Sequence, residues 1–186
     1  MPRIVAGEAG GRRLAVPPGE RTRPTSERAR EALFGTLAAL TDLSGARVLD
    51  LYAGSGAVGL EAVSRGAAAA LLVDADARAA TTARANAAAL GLADRVEVRR
   101  DRVERVLATP PPEPYGIVFA DPPYALPAEE VDAALAALVA GDWLAAGAVV
   151  AVERPSRTAG PAWPDGLVPV RSRRYGEGTL WYGRRS

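Results

Sequence analysis

The feature that most constrains the fold is an alternation of short apolar runs with longer, alanine-rich stretches after Gly45. The apolar runs are typical of buried strands, and the stretches between them have helical spacing. The predicted strands cover residues 47–51, 70–73, 96–98, 117–120 and 148–152, and the predicted helices cover 57–65, 77–90, 102–108 and 128–140. This order predicts a parallel sheet with helices on both faces, which binds ligands at the carboxyl ends of its strands.

Both ends of the chain add further elements. Residues 3–7 and 10–16 read as two short strands around a glycine turn, and an amphipathic helix begins near Ser26. Near the carboxyl terminus, residues 168–175 and 179–182 predict a closing hairpin. We therefore predict an α/β, Rossmann-like fold with a mostly parallel seven-stranded sheet and an N-terminal β-hairpin extension. The predicted organisation is one domain over 1–186, with the extension at 1–24 and the core at 45–186.

Three missing residue types narrow the possible chemistry. The 186 residues include no Cys and no His, and all 23 basic residues are Arg. This excludes thiolate nucleophiles, imidazole acid–base catalysis, Cys- or His-ligated metal sites and catalytic lysines. We expect no metal. No apolar run reaches the length of a membrane span, and no leader pattern opens the chain, so a cytoplasmic protein without a membrane partner is expected.

Charge is distributed unevenly along the chain. Residues 1–30 carry seven Arg against three Glu, whereas residues 31–153 carry nine Arg against seventeen acids. Residues 154–186 carry seven Arg against two acids. An acidic body with two basic ends is typical of a protein whose termini hold a polyanion, although solvated surface arginines give the same pattern.

A glycine-rich loop joins the first core strand to the next helix. Gly54, Gly56 and Gly59 form a G-x-G-x-x-G pattern, and Asp74 follows Gly56 by 18 residues at the end of the next strand. This context predicts a nucleotide-like cofactor, with the Asp74 carboxylate accepting hydrogen bonds from ribose hydroxyls.

The acids around this loop favour one cofactor over another. Asp50 stands four residues before Gly54, where its charge would repel a pyrophosphate and attract a cationic ligand. This favours S-adenosyl-L-methionine over a nicotinamide dinucleotide. Asp101 follows the third core strand and either contacts the adenine or caps the helix after it.

The sharpest motif is Asp121-Pro122-Pro123-Tyr124, at the end of the fourth core strand. The two prolines hold Asp121 and the Pro122 carbonyl rigidly. These two acceptors suit the two N–H groups of an exocyclic base amine, and Tyr124 suits stacking on a base flipped out of its helix. The alternative is a strand-ending turn with a core tyrosine.

These motifs together resemble a known family. The Asp121–Tyr124 turn matches the signature of amino-directed nucleic-acid methyltransferases. With the blocks at 3–14, 23–34 and 50–62, the chain is similar to the RsmD-type methyltransferases over nearly its whole length. That family modifies the N2 amine of a guanine in small-subunit ribosomal RNA.

The resemblance implies a class I methyltransferase fold and a role for each motif. Asp50, Gly54, Gly56 and Asp74 would line the S-adenosyl-L-methionine site, and Asp121, Pro122 and Tyr124 would contact the target base. Asp74 departs from the family pattern, in which Glu is common at this position. The implied partner is ribosomal RNA, within a small-subunit assembly particle, bound by a monomer.

The basic N-terminal segment is expected to bind this RNA through its arginines. The candidate residues are Arg3, Arg12, Arg13 and Arg23.

Three other functions remain open from the sequence. An adenine-N6 methyltransferase would use the same turn, although 186 residues leave little room for a DNA-reading domain. An NAD-dependent oxidoreductase would use the glycine loop but would lack His and Lys for proton transfer. A non-catalytic RNA-binding module would use only the basic ends.

Overall fold

The computed structural model describes residues 1–19 and 26–186. Arg23 lies outside the described residues. Seven strands form one sheet in the order β3-β2-β1-β4-β5-β7-β6. The strands are β1 (Arg47–Leu51), β2 (Ala69–Asp74), β3 (Val96–Arg100), β4 (Tyr115–Ala120), β5 (Leu144–Pro155), β6 (Leu167–Tyr175) and β7 (Gly178–Arg185). The α-helices are α1 (Ser26–Leu40), α2 (Ala57–Ser64), α3 (Ala77–Ala89), α4 (Val103–Leu107) and α5 (Ala128–Ala140), and a 3₁₀ turn covers Ala93–Arg95.

The first five strands pair in parallel, and β7 pairs antiparallel with both β5 and β6. The sheet grows in one direction from β1 to β3 and in the other direction from β4 onward. Such a reversal opens a crevice at the carboxyl ends of the two central strands, here β1 and β4. The seven-stranded, mostly parallel sheet predicted from the sequence is confirmed.

Helices cover both faces of the sheet and divide the core into two layers. Apolar side chains of α1, α2 and α3 pack on one face, together with the N-terminal segment and Tyr182. Those of α4 and α5 pack on the other face, together with Trp143. Strand residues alternate between the two layers, so residues two apart along a strand contact the same layer.

The N-terminal segment differs from the prediction in its detail. Residues 2–14 form a hairpin with one isolated bridge, between Arg3 and Arg13, rather than two extended strands. Gly7 has a φ of 87° and its Cα lies so close to the backbone of Ser64 that a methyl group there would overlap the Ser64 carbonyl. The chain must bend here to follow the end of α2, which interrupts strand pairing. Ile4 and Leu14 still point inward and are fully buried.

Candidate functional site

A cleft of about 1360 Å³ opens at the carboxyl ends of the central strands. Six of the residues singled out in the sequence line it, and they come from three separate strand ends. These residues are Asp50, Gly54, Asp74, Asp121, Pro122 and Tyr124. The cleft therefore brings the glycine loop and the Asp-Pro-Pro-Tyr turn together.

The glycine loop turns sharply through left-handed backbone conformations. Gly54 and Gly56 have φ values of 57° and 84°. A methyl group on Gly54 would meet no atom within 4 Å, whereas one on Gly56 would lie 2.6 Å from the Leu72 side chain. Gly54 thus lies on the open cleft, and Gly56 instead allows the start of α2 to pack closely on β2. Gly56 does not line the cleft, so its contribution to the site is indirect.

Asp50 is almost completely buried beneath this loop. One carboxylate oxygen accepts a hydrogen bond from the Gly59 amide at 2.9 Å. Burial raises the pKa of Asp50 to about 8, the Gly59 hydrogen bond acts in the opposite direction, and the nearby charge of Asp74 raises the pKa further. A cation in the cleft would stabilise the ionised form of this carboxylate.

Asp74 fixes the loop as well as facing the cleft. Its two oxygens accept hydrogen bonds from the amides of Gly54, at 2.8 Å, and Asp76, at 2.9 Å. Each carboxylate oxygen has a second lone pair, so Asp74 keeps acceptor capacity for a ligand hydroxyl. Asp76 also lines the cleft and caps α3 by accepting a hydrogen bond from the Ala79 amide.

The Asp-Pro-Pro-Tyr turn is held to the sheet at both ends. The Asp121 amide donates to the Leu51 carbonyl at 3.4 Å, which continues the pairing of β4 with β1. Beyond the turn, the buried guanidinium of Arg154 donates to the carbonyls of Pro123, at 3.4 Å, and Leu126, at 3.1 Å. Pro122 is buried and Tyr124 is half-buried. The two acceptors of the turn, the Asp121 carboxylate and the Pro122 carbonyl, are therefore on a restrained backbone.

Sequence reasoning missed several residues of the cleft. Tyr52 lines it with a φ of 59°, a left-handed conformation that is rare for a non-glycine residue and concentrates at functional sites. Burial raises the pKa of Tyr52 to about 12, and the charges of Glu104 and Glu130 act in the same direction. Glu153, at the end of β5, also lines the cleft. It could have been found, since it is a charged residue at the end of a buried strand.

Asp101 lies beside the cleft and does not line it. Its carboxylate accepts a hydrogen bond from the Arg102 amide and pairs with Arg105 at 3.6 Å. Arg102, rather than Asp101, is the N-cap of α4, and its side chain makes no capping hydrogen bond. The predicted contact of Asp101 with an adenine stays a prediction.

Three of the predicted RNA-binding arginines, Arg3, Arg12 and Arg13, lie on the N-terminal hairpin and do not line the cleft. Arg3 and Arg13 are exposed and face each other across the isolated bridge. No carboxylate pairs with either side chain in the described part of the chain. Arg12 is also exposed, but its guanidinium donates to the Ala89 carbonyl at the end of α3. The C-terminal arginines Arg171 and Arg173 lie exposed on β6.

Residues 1–19 and 26–186 hold neither a candidate metal site nor a candidate membrane-spanning helix. No group of three or more Asp and Glu side chains is arranged to hold a metal ion. None of the helices in these residues combines the length and hydropathy needed to span a bilayer.

Two of the relatives found by comparison with known proteins carry the same name. The Escherichia coli K12 protein named ribosomal RNA small subunit methyltransferase D is 42% identical over 66% of this chain and 60% of its own length. The match thus spans less than two thirds of that relative. The protein of the same name from Haemophilus influenzae is 33% identical over 81% of this chain and 77% of its own length.

A solved structure extends the similarity to almost the entire fold. The structure of Escherichia coli yhhF superimposes with a TM-score of 0.85 at 35% identity, covering 99% of this chain and 97% of that chain. The family model described as conserved hypothetical protein 95 matches residues 2–184. The chain therefore belongs to this family, which is the RsmD-type methyltransferase family that the sequence motifs resemble.

Proposed function

We propose that this protein transfers a methyl group from S-adenosyl-L-methionine to the N2 amine of a guanine in small-subunit ribosomal RNA. The observation that carries the proposal is that the glycine loop, the Asp74 carboxylate and the Asp121–Tyr124 turn line one cleft. The names of the curated relatives, as small-subunit ribosomal RNA methyltransferases, agree with it.

The acidic end of the cleft fits the cofactor. The charges of Asp74 and Asp76 would repel the pyrophosphate of a dinucleotide. A sulfonium compound with an amino group carries compensating positive charge, which would also favour the ionised form of Asp50. The Gly54 position is open, so backbone can approach a ligand there. S-adenosyl-L-methionine, when bound, supplies an electrophilic methyl group. Asp74 would accept hydrogen bonds from its ribose, and Asp50 would face its cationic part.

The Asp-Pro-Pro-Tyr turn supplies hydrogen-bond acceptors that can activate a weakly nucleophilic amine. The lone pair of an exocyclic amine is delocalised into the base. With one N–H on the Asp121 carboxylate and the other on the Pro122 carbonyl, the nitrogen is drawn toward pyramidal geometry and its lone pair is freed. The Asp121 carboxylate would also accept the proton that the nitrogen releases. Tyr124 would stack on the flipped base.

The RNA itself would be held outside the cleft. Arg3, Arg12, Arg13 and Arg23 are the proposed phosphate contacts, with Arg171 and Arg173 of β6 as a second candidate surface. We propose that the enzyme is a cytoplasmic monomer. Its proposed substrate is a small subunit that is still being assembled, because the target guanine must be accessible before it can be flipped out of its stack.

The test is methyl transfer to ribosomal RNA from a strain that lacks this protein. The purified chain is incubated with the RNA, or with small-subunit particles, and with methyl-labelled S-adenosyl-L-methionine, and the nucleosides are identified by mass spectrometry. Labelled N2-methylguanosine is the expected product. Labelled N6-methyladenosine would instead establish the adenine-directed alternative. Binding of NAD without binding of S-adenosyl-L-methionine would overturn the proposal altogether.

A further inference from the structure

Two carboxylates that come from neighbouring strands, those of Asp121 and Glu153, line the cleft. Ala120 of β4 is paired in register with Val152 of β5, so Asp121 and Glu153, one residue later on each strand, lie at the same level. Phe119 and Ala151, two residues earlier, pack in the same core layer, so both carboxylates point to the same face of the sheet. Neighbouring strands are about 4.8 Å apart. The two side chains therefore border one small space.

Glu153 lies on the side of the cleft where the target base is proposed to bind. A methyl group built on Gly178 of β7 would lie 2.6 Å from Glu153 Oε1 and 3.4 Å from Tyr124 Oη. The carboxylate and the phenol thus both adjoin Gly178. Asp50 and Asp74, by contrast, belong to the glycine-loop side.

No internal contact explains why Glu153 is there. It is half-buried, and within the described residues no hydrogen bond or ion pair is made by its carboxylate. The adjacent Arg154 points into the other core layer, toward the carbonyls of Pro123 and Leu126. A half-buried carboxylate that has no hydrogen-bond partner within the described residues suits a ligand that carries hydrogen-bond donors.

A guanine offers the matching donors. Its Watson–Crick edge carries two neighbouring donor groups, N1–H and the N2 amine, whereas adenine has an acceptor at N1. A carboxylate accepts hydrogen bonds and donates none. We propose that Glu153 selects guanine by accepting the N1–H hydrogen bond while Asp121 accepts from the N2 amine. This inference rests on the proposed guanine-N2 activity and assigns its base specificity to one side chain.

The test uses 2-aminopurine, which keeps the 2-amine but has an acceptor at N1. Small-subunit RNA is ligated from synthetic segments with either guanine or 2-aminopurine at the methylated position, and kcat/KM is measured for each. The wild-type enzyme is expected to prefer guanine by roughly 10- to 100-fold, the range of a bidentate base contact. Glu153→Gln can donate to N1 of 2-aminopurine, so this preference should fall at least tenfold or reverse.

Two further variants and one control variant distinguish recognition of the base from a general loss of structure. Glu153→Ala should lose the preference without reversing it. Gly178→Ala should displace the flexible Glu153 carboxylate at little cost in stability and reduce the preference in the same direction. Glu97→Gln, which removes an exposed carboxylate on β3, should keep the wild-type ratio. Thermal unfolding and cofactor affinity are measured for each variant to confirm that it is folded.

The outcomes distinguish this inference from the proposed function. If the wild-type enzyme methylates guanine and Glu153→Gln keeps the wild-type preference over 2-aminopurine, Glu153 is a solvated strand-end charge and the inference is overturned alone. If the wild-type enzyme labels no guanine amine, the proposed function fails and the inference fails with it.

Discussion

At the scale of single residues, the cleft combines groups whose placement is costly for the fold. Asp50 is a carboxyl group without access to water, and Tyr52 adopts a left-handed backbone. Neither arrangement improves packing, and both occur at the strand end that borders the glycine loop. Such local costs are typical of positions kept for binding rather than for stability.

The cost of burying Asp50 can be measured, because it makes the free energy of unfolding depend on pH. Its pKa is 3.8 without the protein environment and about 8 when buried, so the folded chain holds a proton that the unfolded chain loses between these values. Its contribution to stability is therefore fully present below about pH 4 and is lost as the pH rises through about 8. Asp50→Asn should stabilise the protein progressively over this range, by on the order of a few kcal/mol above pH 8.

Thermal unfolding of the wild type and of Asp50→Asn at pH 5, 7 and 9 checks this. Asp94→Asn, which changes an exposed carboxylate, is the control and should show no such trend. The same Asp50→Asn protein should bind S-adenosyl-L-methionine more weakly. A stability difference that does not change with pH would mean that Asp50 is ionised in the folded chain.

At the scale of elements, one buried acid joins the N-terminal hairpin to the core. Glu61 of α2 is fully buried and accepts hydrogen bonds from the amides of Val5, at 2.8 Å, and Ala6, at 3.0 Å. It also pairs with Arg30 at 3.3 Å and Arg65 at 2.8 Å. The hairpin is thus docked against α1 and α2, and Pro2 reaches the lining of the cleft.

Removing this acid should loosen the hairpin strongly. Glu61→Ala leaves the buried Arg30 guanidinium without its carboxylate, which costs about 3–5 kcal/mol. Urea unfolding should show this loss, and hydrogen exchange at the Val5 and Ala6 amides should accelerate. Glu97→Gln serves as the control with an exposed ion pair. A loss below about 1 kcal/mol would contradict the account of how the hairpin is anchored.

Most helices and strands were predictable from the sequence, but the way in which distant elements pack against each other was not. Strands β1 and β4 and helix α5 follow from apolar periodicity, and the C-terminal hairpin follows from the glycines between 175 and 179. The docking of the N-terminal hairpin depends on Glu61 and Ser64, which are 55 or more residues away in sequence. Local patterns carry no information about contacts of that separation.

The candidate site was also predictable in part: the residues at strand ends could be named from the sequence, and their neighbours across the sheet could not. Asp50 lies near the carboxyl end of β1, Asp74 ends β2 and Asp121 follows β4. The carboxyl ends of parallel strands meet at one edge of the sheet, so the sequence places these three residues together. The place of Glu153 near the end of a buried strand is visible in the sequence, but its position beside Asp121 follows only from the register between β4 and β5. The division of the chain into an extension and a core stays a prediction.

At the scale of the whole molecule, two groups of exposed arginines are described, one near each end of the sequence. One is the N-terminal hairpin with Arg3, Arg12 and Arg13, and the other is the exposed edge strand β6. An edge strand that carries arginines is protected from pairing with another sheet, and the same charges attract phosphates. The salt dependence of RNA binding distinguishes between these two surfaces.

Each arginine that contacts a phosphate should contribute about 0.7–0.9 to the slope of log K against log salt. The double change Arg12→Ala and Arg13→Ala should therefore flatten the slope for small-subunit RNA and raise its KM, with cofactor affinity unchanged. Loss of the hydrogen bond between Arg12 and the Ala89 carbonyl should lower the free energy of unfolding by about 1 kcal/mol at most. The matched comparison is the double change Arg171→Ala and Arg173→Ala. If the hairpin variant keeps the wild-type slope and the β6 variant has a reduced slope, the RNA is bound by β6 and not by the hairpin.

The most direct test of the central claim is a single-turnover measurement on Asp121→Ala, because this carboxylate is assigned to the target amine and not to the cofactor. Calorimetry should show nearly wild-type affinity for S-adenosyl-L-methionine, and the rate of methyl transfer to small-subunit RNA should fall by about 100-fold or more. Asp121→Asn should retain partial activity if the side chain mainly orients the amine. Wild-type turnover by Asp121→Ala would contradict the claim that methyl transfer takes place at the Asp-Pro-Pro-Tyr turn.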